Sequence, residues 1–333
     1  MIMKQQKEPQ IVVIGGGTGI STMLRGLKKY TSQITAIVTV ADNGGGSGIL
    51  REEMKMLPPG DIRNCILALA NTEPIMEKLF QYRFTEGSLK GQNFGNLFLA
   101  AMNGVCGSFE QAVKSTSEVL AVTGRVLPVT NEDIQLCAEF IDGTTICGEW
   151  EIVQASKVYR KSIQRVYLEP DHPKALAEVI QAIEQAQIII LGPGSLYTSI
   201  IPNLLVDGVA EALQNSKGMR IYISNIMTQP GETEGYDLKR HIQALEEHGI
   251  SNVIQYVIAN NKKIPEEILQ VYEEDGAIPV KYEKEEFVKN NIHLIEAPVC
   301  KVYKENKLIR HDPDCLAYHI MELAKEYQNV FFV

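Results

Sequence analysis

The sequence lacks several features that mark common protein classes. Its 333 residues carry 41 acidic and 32 basic side chains, a formal net charge of -9, and they contain no long basic stretch. Proteins that bind nucleic acid non-specifically present a basic face, so we do not expect that activity here. A transmembrane helix needs about 18 consecutive apolar residues, and no run in the sequence reaches that length. We therefore predict that the chain does not span a membrane.

The sequence also lacks the usual signals of export, disulfide frameworks and zinc sites. Its first ten residues, MIMKQQKEPQ, contain no apolar stretch of the kind found in signal peptides. The histidines form no H-x-x-x-H spacing and the cysteines form no C-x-x-C pair, which argues against a zinc enzyme. We predict reduced, mostly buried thiols and a cytoplasmic location. The sequence does not decide the oligomeric state, and a homo-oligomer is one of the alternatives that stay open. The cysteines are Cys65, Cys106, Cys137, Cys147, Cys300 and Cys315.

What the sequence does have is a regular alternation of apolar runs and amphipathic segments. Short runs rich in Val and Ile are typical of strands buried on both faces of a parallel sheet. The alternation predicts an α/β fold with a Rossmann-like, doubly wound and mostly parallel sheet. The predicted strands are 11–15, 34–40, 187–191, 219–224 and 254–258. The predicted helices are 19–30, 61–70, 74–83, 94–103, 109–119, 174–185, 204–215 and 236–248.

Residues 124–168 interrupt this alternation. The segment FIDGTTI places Asp142-Gly143 between two β-like runs, which is the usual signal of a hairpin. We predict a small antiparallel β insertion here, because apolar strands resume after it, and hence a single domain over residues 1–333. Near the C-terminus a second β-like pair turns at Glu305-Asn306 and precedes a final helix over 313–327.

A glycine-rich loop, GGGTG, follows the first predicted strand. Glycines at the start of a helix let backbone N–H groups approach a phosphate closely, so the loop predicts a phosphate site. It does not match G-x-G-x-x-G, since Ile20 stands where the third glycine would be, and it lacks the Gly-Lys-Ser/Thr of a P-loop. An NAD-dependent oxidoreductase and a Walker ATPase therefore fit poorly. The predicted ligand-binding residues are Gly15, Gly16, Gly17, Thr18 and Gly19.

The second predicted strand ends at the loop ADNGGGSG. Asp42 in this loop can bind a ribose hydroxyl or hold a divalent cation such as Mg²⁺ against phosphates, and Asn43 adds a neutral donor. In the segment PPGDIRN, Asp61 is a candidate helix cap. Arg63 follows in the first turn, where a cation opposes the helix dipole, so it is better explained by a bound anion or by Asp61. Asn96, in the first turn of a later helix, is a candidate for contacting a base or sugar edge.

A third loop of this kind, GPGSLYTSIIPN, follows the strand at 187–191. Ligands of doubly wound sheets bind beyond the carboxyl ends of the strands, so we predict that the loops meet in one pocket. Ser195 lacks a G-x-S-x-G elbow and a local His-Asp pair, so we predict ligand binding rather than nucleophilic catalysis. No histidine or carboxylate pair is visible beside the phosphate loops, which argues against catalysis. The further candidates are Gly192, Gly194, Ser195, Tyr197, Thr198 and, after the next strand, Asn225.

Taken together, these motifs resemble one protein family from about residue 10 to 326. The chain is similar to the bacterial gluconeogenesis factor family, within the CofD-like superfamily of 2-phospho-L-lactate transferase. The resemblance implies a CofD-like fold and a cytoplasmic protein. It also implies a role in growth on gluconeogenic carbon sources, in cell shape and in cell-wall precursor supply, with binding of UDP-sugars such as UDP-N-acetylglucosamine. The segments that carry it are IGGGTGIS, VTVADNGGGSG, PPGDIRN, GNLFLAAM, GPGSLYTSIIPNLL, NIMTQPGET and IRHD.

The resemblance also implies roles for individual residues. In the family a tyrosine and an arginine of the C-terminal third are linked to UDP-sugar binding, and they match Tyr272 in VYEEDGAIPV and Arg310 in IRHD. Asp42 matches the acidic position associated with Mg²⁺ in the transferases, whereas Asn43 stands where many relatives have a second acidic residue. Two functions stay open. We favour a nucleotide-sugar-binding regulator without turnover over a Mg²⁺-dependent phosphotransferase that uses the same cleft.

Overall fold

The secondary structure contains the strands that the apolar runs predict, together with further elements that these runs do not predict. The computed structural model describes residues 8–159 and 161–331. Within them the strands are β1 (Ile11–Gly15), β2 (Ile34–Val38), β3 (Arg125–Pro128), β4 (Gln135–Phe140), β5 (Thr145–Cys147), β6 (Ile163–Glu169), β7 (Ile188–Leu191), β8 (Met219–Ile223), β9 (Tyr256–Asn260), β10 (His293–Ala297), β11 (Cys300–Tyr303) and β12 (Leu308–His311). The helices are α1 (Gly17–Leu27), α2 (Gly45–Met54), α3 (Gly60–Leu69), α4 (Pro74–Gln81), α5 (Phe94–Cys106), α6 (Phe109–Val119), α7 (Glu149–Tyr159), α8 (Ala177–Gln185), α9 (Ile201–Leu204), α10 (Val209–Asn215), α11 (Leu238–Glu247), α12 (Glu266–Glu274), α13 (Lys284–Lys289) and α14 (Pro313–Phe331), and a π-helical segment spans Leu196–Ile200.

Seven of these strands form one sheet in the order β10-β9-β8-β7-β1-β2-β3. Every neighbouring pair in it is parallel. The chain runs from β1 outwards to β3, returns to β7 on the other side of β1, and continues to β10. This reversal is the topological switch point of a doubly wound sheet, where such folds bind ligands. The predicted α/β fold with a Rossmann-like, mostly parallel sheet is confirmed.

The centre of the sheet is buried because its strands are apolar along their whole length. Every residue of β1 and β7 is buried, and fully burying one Val, Leu or Ile side chain contributes about 1.5–3 kcal/mol. Helix α1 packs against α3 and α14. Its approach to α14 is close, since a Cβ atom on Gly26 would overlap the Pro313 carbonyl. This packing fixes the position of α1 and of the loop that joins it to β1.

All five predicted strands are present as β1, β2, β7, β8 and β9. The prediction missed the edge strand β10, because its sequence HLIEA is partly exposed rather than continuously apolar. It also missed helices α2, α7, α12 and α13, and it joined α9 and α10 into one helix. Of the helices in the part of the chain that is described, none is long and apolar enough to cross a membrane.

The middle of the chain differs from the predicted insertion over 124–168. Strand β3 joins the large sheet parallel to β2, so the antiparallel part begins at β4. There β5, β4 and β6 form a separate antiparallel sheet, and helix α7 lies between β5 and β6 in the sequence. The hairpin at Asp142-Gly143 is confirmed, with Gly143 at a φ of 80°. Strands β11 and β12 form the predicted C-terminal pair.

One expectation about the cysteines is wrong. Cys137 and Cys147 form a disulfide rather than two reduced thiols. The register of β4 and β5 places them directly opposite each other, with their Cα atoms 4.0 Å apart. A search for C-x-x-C spacing does not detect such a pair, because the two residues become neighbours only across the hairpin. The other cysteines are free, with Cys65 and Cys300 buried and Cys106 and Cys315 partly exposed.

Candidate functional site

A cleft with a volume of about 850 Å³ opens at the carboxyl ends of the central strands. The loops after β1, β2, β7 and β8 line it together with residues of α7, α12 and β12. It therefore lies at the switch point between β1 and β7, where doubly wound sheets bind ligands. Five residues that we expect to share one pocket all line this cleft, and they are Gly16, Thr18, Asp42, Gly194 and Ser195.

The loop between β1 and α1 lines the cleft, and the Gly17 N–H at the start of the helix bonds to the Asp61 carboxyl group. Helix α1 begins at Gly17, its cap residue Gly16 makes no side-chain cap hydrogen bond, and its first turn contains no acidic residue. The first N–H groups of a helix have no partner within the helix and carry partial positive charge. Gly17 has a φ of 64°, which glycine adopts without strain. This loop therefore has the chemistry of an anion site.

The loop after β7 packs directly against this first loop. A Cβ atom on Gly19 would overlap the Pro193 carbonyl and would lie 3.0 Å from the Cα atom of Gly194. The two loops thus meet backbone to backbone, and a glycine at position 19 is needed for that contact. Because Gly194 and Ser195 also line the cleft, the contact joins two predicted phosphate loops into one surface.

Neutral side chains connect the β7 loop to the loop after β8. The Ser195 hydroxyl accepts a hydrogen bond from Gln229 Nε2 at 2.8 Å, and Gln229 Oε1 accepts one from Asn225 Nδ2 at 3.0 Å. The Oδ1 atom of Asn225 is buried and has no partner among the described residues. This atom can accept a hydrogen bond from a hydroxyl or N–H group of a ligand.

Three carboxyl groups, those of Asp42, Asp61 and Glu149, line the cleft as well. Burial raises the pKa of Asp61 to about 7, and the nearby charge of Asp42 adds to this effect. Burial likewise raises the pKa of Glu149, with smaller contributions from the charges of Asp42 and Asp61. Asp61 Oδ2 lies 2.6 Å from the place that a Cβ atom on Gly16 would occupy, so this carboxyl group touches the first phosphate loop. Folding therefore brings carboxyl groups beside these loops that the local sequence around them does not show.

The oxygen atoms of these carboxyl groups are suitable ligands for a divalent cation. Mg²⁺ prefers oxygen ligands and commonly uses one or two carboxylates together with phosphates and water. The raised pKa of Asp61 is due in part to the charge of Asp42, and a cation between like charges would relieve that repulsion. Among the residues that the structure describes, no three carboxyl groups bring one oxygen each within 4.8 Å of one another. Phosphate or water oxygens would therefore complete the coordination of a cation held by Asp42 and its neighbours.

Tyr272 and Arg310 reach the cleft from the C-terminal part of the chain. The Tyr272 hydroxyl accepts a hydrogen bond from the Ile309 N–H at 2.8 Å, which ties α12 to β12. Arg310 is exposed, and its Nη1 donates to the Ile309 carbonyl at 2.9 Å. Its remaining N–H groups can meet an anion in the cleft. Burial lowers the pKa of the adjacent His311 to about 4, so that side chain is neutral at pH 7.

The charged side chains that line the cleft are mainly acidic. Six carboxyl groups face two cationic side chains. A nucleoside diphosphate would add more negative charge, and like charges repel strongly in a partly buried site. Binding of a diphosphate here would therefore depend on backbone N–H groups, on the two cations and on a bound metal ion acting together. The acidic residues are Asp42, Asp61, Glu149, Glu234, Glu274 and Asp275, and the cationic ones are Lys157 and Arg310.

Three predicted ligand residues lie behind the cleft surface. Gly15 and Gly192 are buried next to each other, and neither is among the described residues that line the cleft. Tyr197 is fully buried, and its hydroxyl hydrogen-bonds to that of Tyr236 at 3.0 Å. The tyrosine side chain thus packs in the core, because the π-helical segment directs it away from the loop surface. Gly15 and Gly192 shape the two loops through their backbones.

Three other predicted residues hold neighbouring elements together and do not line the cleft in the described part of the chain. Asn43 Oδ1 accepts a hydrogen bond from the Trp150 N–H at 3.0 Å, and its Nδ2 donates to Glu151 at 2.7 Å. Asn43 therefore anchors the start of α7. Arg63 Nη1 donates to Asn96 Oδ1 at 2.7 Å. The charges of Asp61 and Asp42 also act on Arg63 and favour its charged form.

Five of the six acidic residues that line the cleft were not predicted as ligand residues, Asp61 and Glu149 among them. Asp61 is not the helix cap that its sequence context predicts, because α3 already begins at Gly60 and its cap position is Pro59. Glu149 opens α7 in the segment GEWEIV, whose apolar residues resemble a strand. No local signal marks Glu149, since α7 is fixed by contacts with Asn43, which is far away in the sequence.

Comparison with known proteins gives consistent matches over nearly the whole chain. The family described as 2-phospho-L-lactate transferase CofD matches residues 11–300. A protein of Thermoanaerobacterium thermosulfurigenes called "Putative gluconeogenesis factor" is 59% identical over 317 residues, 95% of this chain and 97% of that protein. The "Gluconeogenesis factor" of Bacillus subtilis (strain 168) is 45% identical over 321 residues, 96% of this chain and 99% of that protein.

Solved structures match the fold over nearly the whole chain as well. A crystal structure of a Bacillus halodurans protein has a TM-score of 0.90 and 41% identity, and covers 95% of this chain and 100% of that chain. A second crystal structure from Bacillus halodurans, described as a member of the UPF0052 family, has a TM-score of 0.89 and 40% identity, and covers 95% and 99% of the two chains. The chain therefore belongs to the CofD family and, within it, to the gluconeogenesis factors.

Proposed function

We propose that the cleft binds a nucleoside diphosphate sugar of the UDP-N-acetylglucosamine type together with Mg²⁺, and that the protein regulates without consuming this ligand. The observation that carries the proposal is the meeting of two glycine-rich loops with Arg310 in one cleft. Backbone N–H groups at a helix start and a guanidinium are strong donors to phosphate oxygens. Tyr272 and Asn225 offer polar groups for a base or sugar.

The proposed role in the cell follows from the relatives and from the ligand. The relatives are called gluconeogenesis factors, a name that describes a pathway and not a reaction. A protein that binds a nucleotide sugar without consuming it reports the supply of that precursor. We therefore extend the proposal to a cytoplasmic regulator that supports cell shape and cell-wall precursor supply during growth on gluconeogenic carbon sources.

Calorimetric titration of an Arg310→Ala variant tests the binding proposal. Losing hydrogen bonds to a charged group costs about 1.5–3 kcal/mol, so we expect affinity for UDP-N-acetylglucosamine to fall roughly 10- to 150-fold. The matched control is Lys304→Ala, which removes a cation from the exposed turn of the same β11–β12 hairpin, outside the cleft. If both variants bind like the unaltered protein, Arg310 does not belong to the site.

The second candidate function is Mg²⁺-dependent phosphoryl transfer, as the CofD family match suggests. The three cleft carboxyl groups favour it, because Asp61 with its pKa raised to about 7 can exchange a proton near neutral pH. Asp42 would hold the cation, and Mg²⁺ would neutralise charge on the phosphates. The residues that bind the diphosphate are the same in both functions.

Product analysis separates the two functions. The protein is incubated with UDP-N-acetylglucosamine, Mg²⁺ and candidate hydroxyl acceptors, and nucleotide products are followed by chromatography. We expect binding without products. Turnover near the ordinary enzyme range of about 1 s⁻¹ or above, abolished in an Asp42→Ala variant, would establish the transferase function instead.

A further inference from the structure

A second cavity, which we call the side chamber, adjoins the cleft and has a volume of about 380 Å³. It shares Asp42, Glu149 and Ser195 with the cleft, so the two spaces adjoin each other. Trp150, Thr198 and Glu232 line the side chamber but not the cleft. The side chamber is thus large enough for a small ligand group. Its lining differs from that of the cleft by an aromatic residue, a hydroxyl residue and a further carboxyl group.

Helix α7 forms a firmly held wall of the side chamber. Its Trp150 N–H donates to Asn43 Oδ1 at 3.0 Å, which fixes the start of the helix to the loop after β2. On the other side, a Cβ atom on Gly231 would lie 2.9 Å from the Val153 carbonyl oxygen. The helix therefore packs closely against the loop after β8. Contacts with the loop after β2 and with the loop after β8 thus both hold α7 in place beside the side chamber.

The polar groups of the side chamber are arranged to accept hydrogen bonds. Glu232 is buried, and its two carboxyl oxygens accept from the Thr198 hydroxyl at 3.1 Å and from the Tyr197 N–H at 3.2 Å. The Thr198 N–H and the Ser195 hydroxyl also bond to this carboxyl group, so Glu232 is held firmly by the loop after β7. Glu149 adds another carboxyl group, against the single cation Lys157 among the lining residues described. Carboxyl groups bond well to neutral ligand groups that carry O–H or N–H donors.

Trp150 is the aromatic residue among the described residues that line the side chamber. It is the single tryptophan of the sequence, and it is 56% exposed although it lines the side chamber. An indole ring offers a broad apolar face for packing. A pyranose ring carries hydroxyl groups at its edge and C–H groups on its faces, so it matches an aromatic face combined with carboxylate acceptors.

We propose that the side chamber holds the sugar of the nucleotide sugar whose diphosphate lies in the cleft. This inference rests on the proposed function, since it divides one ligand between two adjoining spaces. The phosphates meet backbone N–H groups and Arg310, while the neutral sugar meets Trp150 and the carboxyl groups. The side chamber then selects sugar nucleotides over free nucleoside diphosphates.

Titration with UDP-N-acetylglucosamine and with UDP, both in Mg²⁺, tests this division. We expect a Trp150→Ala variant to lose about tenfold in affinity for the sugar nucleotide, the equivalent of one or two net hydrogen bonds or packing contacts, and to bind UDP unchanged. A Trp150→Phe variant keeps an aromatic face and should recover most of the loss. The control is Val158→Ala, an exposed α7 residue outside both spaces, which should bind both ligands normally.

Tryptophan fluorescence adds a readout from inside the side chamber, because all of it comes from Trp150. UDP-N-acetylglucosamine should change this emission with the midpoint found by calorimetry, and UDP should change it much less. An equal loss of affinity for both ligands in Trp150→Ala, or unchanged emission at saturating sugar nucleotide, would overturn the sugar site while leaving cleft binding intact. Absence of binding of both ligands to the unaltered protein would overturn the proposed function as well.

Discussion

The cleft has two regions that differ in how they are built and in how they respond to change. In the loop region, formed by the β1 and β7 loops, the groups that face a ligand are backbone N–H groups held by glycines. In the carboxylate region, formed by Asp42, Asp61 and Glu149, they are titratable side chains, and the charge of Asp42 adds to the burial that raises the pKa values of the other two. The first region is sensitive to added volume, and the second is sensitive to charge, pH and metal ions.

This difference explains why one region can be predicted and the other cannot. Backbone donors need glycine, and glycine after a buried strand is visible in the sequence. A carboxylate cluster is assembled from residues that are distant along the chain. The predictions below therefore alter one region at a time, and they are ordered by the size of the expected effect.

The largest effect is expected from Gly19→Ala in the loop region. The new Cβ atom would overlap the Pro193 carbonyl, so the two loops must separate. Overpacking of this kind costs about 1–3 kcal/mol, and we expect the free energy of unfolding to fall by that amount, with nucleotide-sugar binding weakened more than tenfold. Chemical denaturation and calorimetric titration measure the two effects.

The control for this variant is Gly104→Ala in α5, where a Cβ atom would meet no other atom within 4 Å. Alanine is the better helix former by roughly 0.5–1 kcal/mol, so this variant should be as stable as the unaltered protein or more so. If Gly19→Ala is as stable as Gly104→Ala and binds ligand normally, the close contact between the loops does not shape the site.

Asp42→Asn alters the carboxylate region without changing its volume. The Asn Oδ1 atom can keep the hydrogen bond that Asp42 Oδ1 accepts from the Gly44 N–H at 2.8 Å. We expect Mg²⁺ to lose its effect on nucleotide-sugar affinity, a change of about tenfold or more, because the charged cation ligand is gone. Glu118→Gln, an exposed substitution on α6, removes one negative charge elsewhere and should leave the Mg²⁺ dependence unchanged.

Asp61→Asn tests the carboxylate region through the pH dependence of protein stability. The folded-state pKa of Asp61 is raised from 3.8 to about 7, so the folded protein binds this proton more tightly than the unfolded chain does. Stability from this group is therefore lost as pH rises from about 4 to about 7. Asp42 and Arg63 are the charged groups that act on it besides burial.

The variant should lack this loss, so its stability relative to the unaltered protein should increase between pH 5 and pH 8. Using this difference removes the contribution of Glu232, whose pKa is also raised. The charge of Asp61 also raises the pKa of Glu149, so its removal adds to the expected increase. Urea denaturation at several pH values measures it. A difference that stays constant across this range would mean that Asp61 titrates like an exposed carboxylate.

The smallest effect is expected from Tyr197→Phe. The hydroxyl group lost in this variant bonds to Tyr236 in the core and not to the cleft. Loss of one such hydrogen bond costs about 0.5–1.5 kcal/mol of stability, while nucleotide-sugar affinity should not change. Weaker binding without a loss of stability would restore Tyr197 to the ligand site that the sequence predicts.

The sequence predicts the parallel sheet and the loop region well, because each depends on local patterns. The apolar runs of β1 and β7 mark buried strands, and the glycines that follow them mark close backbone approach. Gly16, Thr18 and Gly194 line the cleft as expected. These residues follow directly after a buried strand, where the close approach of two backbones requires glycine or a small residue. A single sequence is therefore enough to identify them.

Other parts of the site depend on distant contacts that no local pattern contains. Glu149 enters the cleft because Asn43 anchors α7 from more than a hundred residues away. The pKa of Asp61 depends on burial and on Asp42. The pairing of Cys137 with Cys147 depends on the register of a hairpin. Composition and spacing do not indicate such contacts before the chain is folded.

The central claim is that one cleft binds a nucleotide sugar with both of its regions, the loops contacting phosphate and the carboxylates contacting a cation. Calorimetric titration of the unaltered protein with UDP-N-acetylglucosamine, in Mg²⁺ and then in EDTA, tests it most directly. We predict saturable binding of one ligand per chain in Mg²⁺ and an affinity at least about tenfold lower in EDTA. Equal affinity in the two buffers, or no binding in Mg²⁺, would contradict the claim.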